Sequence, residues 1–167
     1  MRRPGGQDIA ALFSIYGDPA TNIFNPAPPC KTVSEAEGTM ERWLLQWEQH
    51  GFGLWAISFR EAPETVIGFG GLSYRQFGEL EKINLGYRFS TQVWGQGLAT
   101  ELSRKALDFG FRTLDAEEIW ALVRETHLAS QRVLEKAGMK QIAKVAEPLG
   151  GAGSFIYQLH RSAYLGD

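Results

Sequence analysis

The chain lacks the features that would support several common functions. Its 167 residues include a single cysteine, Cys30, and three histidines. One cysteine excludes an internal disulfide and fits a reducing, cytoplasmic compartment. Cys30 follows the proline-rich segment 25–29 with no base near it in sequence, so we expect an inert thiol. No His, Cys, Asp or Glu residues have the spacing of metal ligands, so no metal is expected.

Long apolar runs and an excess of one charge are also missing. No run approaches the ~20 apolar residues that a membrane span needs, and no apolar segment of a signal peptide follows Arg2 and Arg3. The formal net charge is −2, with 44% apolar and 22% charged residues. These values are typical of a globular protein and give no electrostatic footprint for nucleic acid or an anionic membrane. A chain of this length is most simply one domain, 1–167.

Hydrophobic periodicity predicts an α/β domain. Helices are predicted over 7–16, from a capping box at Ser34 and Glu37 to a stop at Gly51, over 98–114 with Phe109 on the inner face, and over 129–137 before a stop at Gly138. The segment 21–32 is expected to be loop. Strands are predicted over 52–60, 65–75, 83–89, 119–123, 139–145 and 154–159, with turns at 61–64 and 147–153. The continuous apolar run 119–123 suits a strand covered on both faces. Short connections favour antiparallel neighbours, whereas the long helix makes the third and fourth strands parallel. The sequence therefore predicts a mixed, mostly antiparallel sheet of about six to seven strands, flanked by about four helices.

The stretch 83–101 carries the clearest functional signal. Apolar and aromatic side chains alternate along its strand and share one face: Ile83, Leu85, Tyr87 and Phe89. Gly95 and Gly97 then free the backbone, and a helical pattern begins at Leu98. The first N–H groups of a helix have no intrahelical acceptor and lie at the positive end of its dipole. This loop can therefore hold an anion such as a phosphate.

Several interpretations of the glycine loop are possible. A P-loop needs Lys followed by Ser or Thr, whereas Leu98 and Ala99 follow Gly97 here. A dinucleotide-binding fold needs a third glycine in an early βαβ unit, and Thr100 takes that place. A pyrophosphate loop between a strand and a helix of a mixed sheet, as acyl-CoA-dependent transferases have, fits better. A tight turn with no ligand is compatible with the glycines alone.

Two motifs together closely resemble one family. They are Val-Trp-Gly-Gln-Gly-Leu-Ala-Thr-Glu at 93–101 and His-Leu-Ala-Ser-Gln-Arg-Val-Leu-Glu-Lys-Ala-Gly-Met at 127–139. The chain resembles the GNAT superfamily of acetyl-CoA-dependent N-acetyltransferases, above all its branch of ribosomal-protein N-terminal alanine and serine acetyltransferases. The resemblance implies a sheet splayed between two parallel central strands and covers about 5–159. The family's usual first strand is missing or reduced to 2–4.

The resemblance implies a binding site for acetyl-CoA as cosubstrate. The family's pyrophosphate motif, Gln/Arg-x-x-Gly-x-Gly/Ala, matches 94–99, with Trp94 at its first place as is usual for this branch. The N–H groups of 95–100 would hold the pyrophosphate, and the strand edge at 87–89 would pair with the pantetheine amides. His127 stands where the family usually has an Asn that bonds this arm. The implied cofactor-binding residues are Leu85, Tyr87, Phe89, Gly95, Gln96, Gly97, Leu98, Ala99, Thr100, His127 and Ser130.

The implied reaction is direct attack of a primary amine on the acetyl thioester in a ternary complex. A backbone N–H near 85–87 would stabilise the oxyanion, and Ser130 would be the catalytic residue that protonates or hydrogen-bonds the leaving thiolate. Ser130 is equally well placed as a helix cap or a first-turn residue. Asn84 stands where family members often carry a glutamate base. Either the amine arrives neutral, or Glu79 and Glu81 act through water.

The motifs do not define the acceptor amine. The fold implies an acceptor groove, and its candidate lining residues are Phe24, Trp43, Trp47, Trp55 and Tyr157. Since no acidic cluster favours a polycation, a peptide N-terminus and a small amine both remain open. The alternative function is a catalytically silent CoA-binding module of the same fold, suggested by Asn84 and His127. In either case we expect a monomer or homodimer, with neither nucleic acid nor a membrane as partner.

Overall fold

The structure is a computed structural model that describes residues 1–25, 27–146 and 153–166. Within these ranges it has six α-helices and six β-strands. The helices are α1 (Ile9–Gly17), α2 (Pro19–Asn22), α3 (Val33–His50), α4 (Leu98–Arg112), α5 (Leu128–Lys136) and α6 (Arg161–Leu165). The strands are β1 (Leu54–Phe59), β2 (Ala62–Phe77), β3 (Leu80–Phe89), β4 (Glu118–Arg124), β5 (Lys140–Val145) and β6 (Ser154–His160). Most of the predicted turn between β5 and β6, 147–152, lies outside the described residues.

The strands form one six-stranded sheet in the order β1-β2-β3-β4-β6-β5. β1 pairs antiparallel with β2, and β6 pairs antiparallel with both β4 and β5. β3 and β4 are parallel, and among the described residues they share one pair, Asn84 opposite Trp120. The predicted mixed, mostly antiparallel sheet is therefore confirmed. No helix in the described ranges is both long and apolar enough to cross a membrane.

The chain divides into two compact units. The first comprises Met1–Ser73 with Tyr87–Leu98, and the second comprises Tyr74–Gly86 with Ala99–Asp167. That 1–167 act as one acetyltransferase domain stays a prediction.

The first unit has its core between α1, α3 and the strands β1 and β2. Its buried residues are Leu12, Ile15, Ala36, Met40, Ala56 and Phe69. The Trp43 ring joins this core, 5.5 Å from the Tyr16 ring and 5.3 Å from the Phe69 ring between centroids. Trp43 is half-buried and packs against this core, so its role in lining an acceptor groove stays a prediction.

The first strand of the resembled family is reduced to one bridge on the outer edge of β1. The Arg2 N–H donates to the Ala56 carbonyl (3.1 Å), and the Ala56 N–H donates to the Arg2 carbonyl (2.9 Å). The Arg2 guanidinium donates to both oxygens of Asp8, at 2.7 and 2.6 Å, and Asp8 is only 2% exposed. Close by in the strand, the Trp47 indole donates to the Leu54 carbonyl at 2.9 Å.

The second unit buries one side of α4 and alternate residues of β4. Leu107 and Phe111 of α4 are fully buried, whereas Phe109, predicted to face inward, is only half-buried. Strand β4 alternates between buried residues at 119, 121 and 123 and half-buried ones between them. The expected strand covered on both faces therefore has one buried face and one half-buried face, and no residue of β4 is exposed.

Local boundaries also depart from the sequence predictions. The segment 21–32 was expected to be all loop, but α2 extends to Asn22 because the Asp18 carboxylate accepts from the Ala20 N–H (2.8 Å) and caps it. The capping box at Ser34 and Glu37 is wrong. Helix α3 is capped two residues earlier by Thr32, whose hydroxyl accepts from the Glu35 N–H at 3.2 Å.

The turn predicted at 61–64 is tighter than expected, since β2 already begins at Ala62. Both glycine stops are as predicted. Gly51 (φ +72°) ends α3, and Gly138 (φ +92°) follows α5, each in the left-handed region that favours glycine.

Candidate functional site

The end of β3 supplies the strand part of the candidate site. Leu85 and Phe89 are 3% and 6% exposed, and Tyr87 between them is half-buried. This burial fixes the strand against the core, because apolar side chains on one face hold its register. The three predicted cofactor contacts of β3 thus belong to an ordered strand.

Trp94 ties the loop after β3 back to the strand. Its indole N–H donates to the Phe89 carbonyl at 3.0 Å, and its backbone N–H donates to the Thr91 carbonyl at 3.3 Å. The 3₁₀ turn Thr91–Val93 carries the chain between them. A tryptophan at the first place of the glycine motif therefore has a structural purpose, since it fixes where the loop begins.

The two glycines of the loop are required by backbone conformation. Gly95 has φ +76° and Gly97 has φ +80°, values at which an L side chain is strained. A Cβ on either glycine would meet no heavy atom within 4 Å, so packing does not demand glycine there. Gln96 between them is exposed. The loop therefore presents bare backbone to open space.

Helix α4 begins directly after this loop, at Leu98. Within the described part of the chain the Gly97 N–H has no hydrogen-bond acceptor, and the first-turn N–H groups of a helix have none within the helix. Together with the positive end of the helix dipole, these donors suit an anion. No carboxylate lies among residues 95–100, so the donor set fits a pyrophosphate.

In the second unit, the structure brings His127 and Ser130 together at the start of α5. The Ser130 hydroxyl oxygen lies 3.2 Å from Nε2 of His127. This is the hydrogen bond that Ser130 makes in the described structure, so Ser130 is a first-turn residue of α5 and does not cap the helix backbone. Burial lowers the pKa of His127 below its ordinary 6.5, so the imidazole is neutral at pH 7.

The loop that carries His127 is held in place by Gln131. Its amide nitrogen donates to the carbonyls of Arg124 (3.1 Å) and Glu125 (2.9 Å). The two bonds satisfy partly buried carbonyls at the end of β4 and help to hold the loop against α5.

Asn84 is buried and has an unsatisfied acceptor. It is 6% exposed, and its Oδ1 atom has no hydrogen-bond partner among the described residues. A buried polar atom without a partner costs about 1–3 kcal/mol, so this oxygen is available to accept from a water or a ligand group. Glu79 and Glu81 are exposed, and Glu81 accepts from the Gln76 amide (3.4 Å).

A model of one family matches most of the chain. The family is described as "Acetyltransferase (GNAT) domain", and the match covers residues 1–140. The chain belongs to the GNAT family. It is therefore an acyltransferase, and this membership favours an enzyme over the catalytically silent module.

Relatives of known sequence agree with this assignment. The chain is 32% identical over 152 residues to the "Uncharacterized protein YkkB" of Bacillus subtilis, with 86% of this chain and 84% of that protein covered. It is 23% identical over 143 residues to the "Uncharacterized N-acetyltransferase YoaA" of the same organism, with 84% and 78% covered. The ribosomal-protein branch is not confirmed by these matches.

A solved structure shares the fold. It is spermidine N-acetyltransferase from Vibrio cholerae in complex with CoA and spermine, with a TM-score of 0.80 and 15% identity over 98% of this chain and 96% of that one. At this identity the likeness establishes the fold of the GNAT chain and leaves its acceptor undefined.

Arg88 was not singled out from the sequence of this GNAT chain, and its contacts join β3 to α1 and α2. Its guanidinium donates to Oδ1 of Asn22 at 3.0 Å and lies 4.0 Å from the centroid of the Tyr16 ring. Asn22 is 66 positions away in sequence, so no local pattern could have indicated this contact. The available signal was a cation between two aromatic residues, Tyr87 and Phe89, at the end of β3.

The aromatic residues predicted to line the acceptor groove differ in burial, and their role in this GNAT chain stays a prediction. Tyr157 is 1% exposed and its hydroxyl donates to Glu135 at 3.2 Å. The Trp47 side chain is half-buried, and its indole N–H donates to the Leu54 carbonyl. Phe24 and Trp55 are half-buried.

Proposed function

We propose that this GNAT enzyme transfers an acetyl group from acetyl-CoA to a primary amine by direct attack in a ternary complex. Acetyl-CoA supplies an activated thioester, so that a C–N bond forms to the amine as the C–S bond breaks. The observation that carries the proposal is the glycine loop, which is fixed by Trp94, exposes bare backbone at Gly95 and Gly97, and leads into α4.

The N–H groups of residues 95–100 bind the pyrophosphate in this proposal. The free Gly97 N–H and the exposed backbone of the loop support this role. The edge of β3 at Tyr87–Phe89 pairs with the pantetheine amides, and His127 replaces the Asn that the resembled family uses beside them. A backbone N–H near Leu85–Tyr87 stabilises the negative charge that develops on the carbonyl oxygen.

The two proton transfers are handled by different groups. Asn84 cannot take a proton, so we assign its orphaned oxygen to accept a hydrogen bond from the neutral amine, whose proton is then lost to water. With the proton of the imidazole on Nε2, His127 donates to Ser130. The Ser130 O–H is then free to donate to the leaving sulfur, which finally takes a proton from solvent.

The acceptor class has two candidates within this proposal. One is a protein N-terminus, as in the ribosomal-protein branch that the motifs resemble, and the other is a small-molecule amine. The proposal also includes a cytoplasmic monomer or homodimer that acts on neither nucleic acid nor a membrane.

Two measurements test the proposal. A thiol-release assay with acetyl-CoA should give turnover with at least one member of a panel of primary amines and short peptides. Acetyl-CoA at 100 times its Kd should stabilise the protein by about 2.7 kcal/mol in thermal unfolding. If acetyl-CoA binds but no amine of the panel is acetylated, transfer to a primary amine is rejected. If acetyl-CoA gives no thermal shift, the cofactor site is rejected as well.

A further inference from the structure

Arg88 is a half-buried cation that has no carboxylate partner among the residues that the structure describes. Its contacts in the described structure are the Asn22 side-chain oxygen and the face of the Tyr16 ring. Burial lowers the pKa of Arg88, and only Tyr16 opposes this effect. Tyr16 is itself neutral at pH 7, because burial raises its pKa to about 12. No negative charge of the described residues therefore compensates this guanidinium.

A partly buried cation with no counter-ion lowers the stability of the fold. Another arginine of this chain, Arg2, has a carboxylate partner. Arg2, which is more exposed, donates two hydrogen bonds to the buried Asp8 carboxylate. Buried charges are ordinarily paired in this way, because taking an ion out of water costs several kcal/mol. At Arg88 the partner is missing from the described part of the chain, which makes an anionic ligand the natural counter-ion.

The neighbours of Arg88 hold the guanidinium in one orientation. Asn22 is 8% exposed, and its amide nitrogen donates to the Ala27 carbonyl at 2.6 Å, which fixes its oxygen as the acceptor for Arg88. Tyr16 packs edge-on against Trp43. One face of the guanidinium therefore stacks on a fixed ring and one nitrogen is committed to Asn22. Its remaining N–H groups have no acceptor among the described residues.

A stacked guanidinium with free N–H groups suits a planar, two-oxygen anion. Arginine binds a carboxylate through two parallel N–H···O bonds, and stacking on an aromatic ring leaves that edge of the group available. The same charge opposes a polycation. Arg88 also directly follows Tyr87 on β3, the strand that carries the proposed pantetheine edge, whereas the anionic part of acetyl-CoA is assigned to the glycine loop.

We propose that Arg88, positioned by Tyr16 and Asn22, binds the carboxylate of the acceptor. The acceptor is then a small primary amine that also carries a carboxylate, such as an amino acid. The amine group of this acceptor rests on the proposed function, and its carboxylate rests on the contacts of Arg88.

The first test needs only the wild-type protein. Acetylation is measured by thiol release for matched pairs, a set of amino acids and the corresponding amino-acid amides. We expect kcat/KM to be roughly 10- to 100-fold higher for the acid of the preferred pair, mainly through a lower KM, because the amide lacks the charge-assisted bonds. Equal rates for acid and amide, or a preference for the amide, would overturn the inference.

Variants then assign the preference to Arg88. Arg88→Gln should lose the discrimination between acid and amide while retaining turnover of the amide, and Arg88→Lys should keep only part of it. Arg75→Gln is the matched control, since Arg75 also lies over a ring, that of Phe77, at 6.0 Å, and carries no proposed role. A uniform loss of activity toward acids and amides in Arg88→Lys would mean a purely structural role.

Thermal unfolding separates this inference from the proposed function. The probes are N-acetyl amino acids and the corresponding N-acetyl amino-acid amides, which need no turnover. The acids should raise Tm of the wild type but not of Arg88→Gln, and the amides should raise neither. A shift with acetyl-CoA and none with the acids would reject the carboxylate site alone. A shift with the acids and none with acetyl-CoA would reject the proposed function and leave an acid-binding site.

Discussion

The Ser130 hydroxyl oxygen lies 3.2 Å from Nε2 of His127, across the first turn of α5. This contact gives the histidine a defined purpose at a position where the resembled family has an asparagine. A neutral imidazole with its proton on Nε2 donates a hydrogen bond, as an amide nitrogen would. In this tautomer the histidine keeps a donor beside Ser130.

Ser130→Ala should lower kcat by about 10- to 100-fold and change the KM for acetyl-CoA little. The hydroxyl is assigned to the developing thiolate, and a hydrogen bond to a charged group contributes about 1.5–3 kcal/mol. Steady-state kinetics with acetyl-CoA checks this. The control is Ser34→Ala, an exposed serine in the first turn of α3, which should behave as wild type. Unchanged turnover in Ser130→Ala would remove this residue from the mechanism.

His127 should make the stability of the protein depend on pH in a direction set by its burial. Its folded pKa lies below 6.5, so between these values the unfolded chain binds more protons than the folded one. Stability from this group is complete above pH 6.5 and is lost as the pH falls toward the folded pKa. The loss should be smaller in His127→Asn, which has no titrating ring. Urea unfolding at several pH values between 7.5 and 5 measures the difference, and parallel curves for the two proteins would contradict it.

Gly95→Ala and Gly97→Ala should each destabilise the protein by roughly 1–2 kcal/mol and weaken acetyl-CoA binding. The added methyl group meets no atom, so the cost comes from an L residue held at positive φ. Gly78→Ala is the matched control, with φ +64° and equally open space in the turn before β3. It should lose similar stability with no change in affinity, as measured by thermal unfolding and calorimetry. Normal affinity in both loop variants would exclude the loop as the pyrophosphate site.

Trp94→Phe should weaken acetyl-CoA binding by about three- to tenfold. It keeps the ring but removes the indole N–H that donates to Phe89, a bond of about 0.5–1.5 kcal/mol that fixes the start of the loop. Trp47→Phe removes an equivalent indole bond, to Leu54, in another part of the chain. Titration calorimetry of both variants compares them. If the two variants bind acetyl-CoA equally well, the hydrogen bond from Trp94 to Phe89 does not contribute to cofactor binding.

Local patterns were sufficient where the determining interactions are close in sequence. The alternation of β3, the glycines at 95 and 97 and the helical pattern from Leu98 each depend on neighbouring residues, and the structure has all three. The same holds for Gly51 and Gly138 at helix ends. For these parts, the backbone preferences of the residues and the tertiary fold agree.

Other features depend on contacts that the sequence does not display. The Ser34 and Glu37 pair satisfies the pattern of a capping box, but Thr32 competes for the same role and wins. Helix α2 has only four residues, too few for a periodic signal, although Asp18 before Pro19 is an N-cap signature that was available. Arg88 needed a partner in α2, and Asn22 gives no local sign of that contact.

The bridge between Arg2 and Ala56 has a consequence for how the molecule behaves in concentrated solution. β1 is the first strand of the sheet, and an open edge strand is a template on which another chain can add a strand and begin an aggregate. Here the Ala56 N–H and carbonyl are already engaged by Arg2, and the Leu54 carbonyl is engaged by Trp47. An incoming strand would first have to displace Arg2 from Ala56 and the Trp47 indole from Leu54. The N-terminal segment that carries Arg2 therefore helps to protect the sheet against the addition of strands from other molecules.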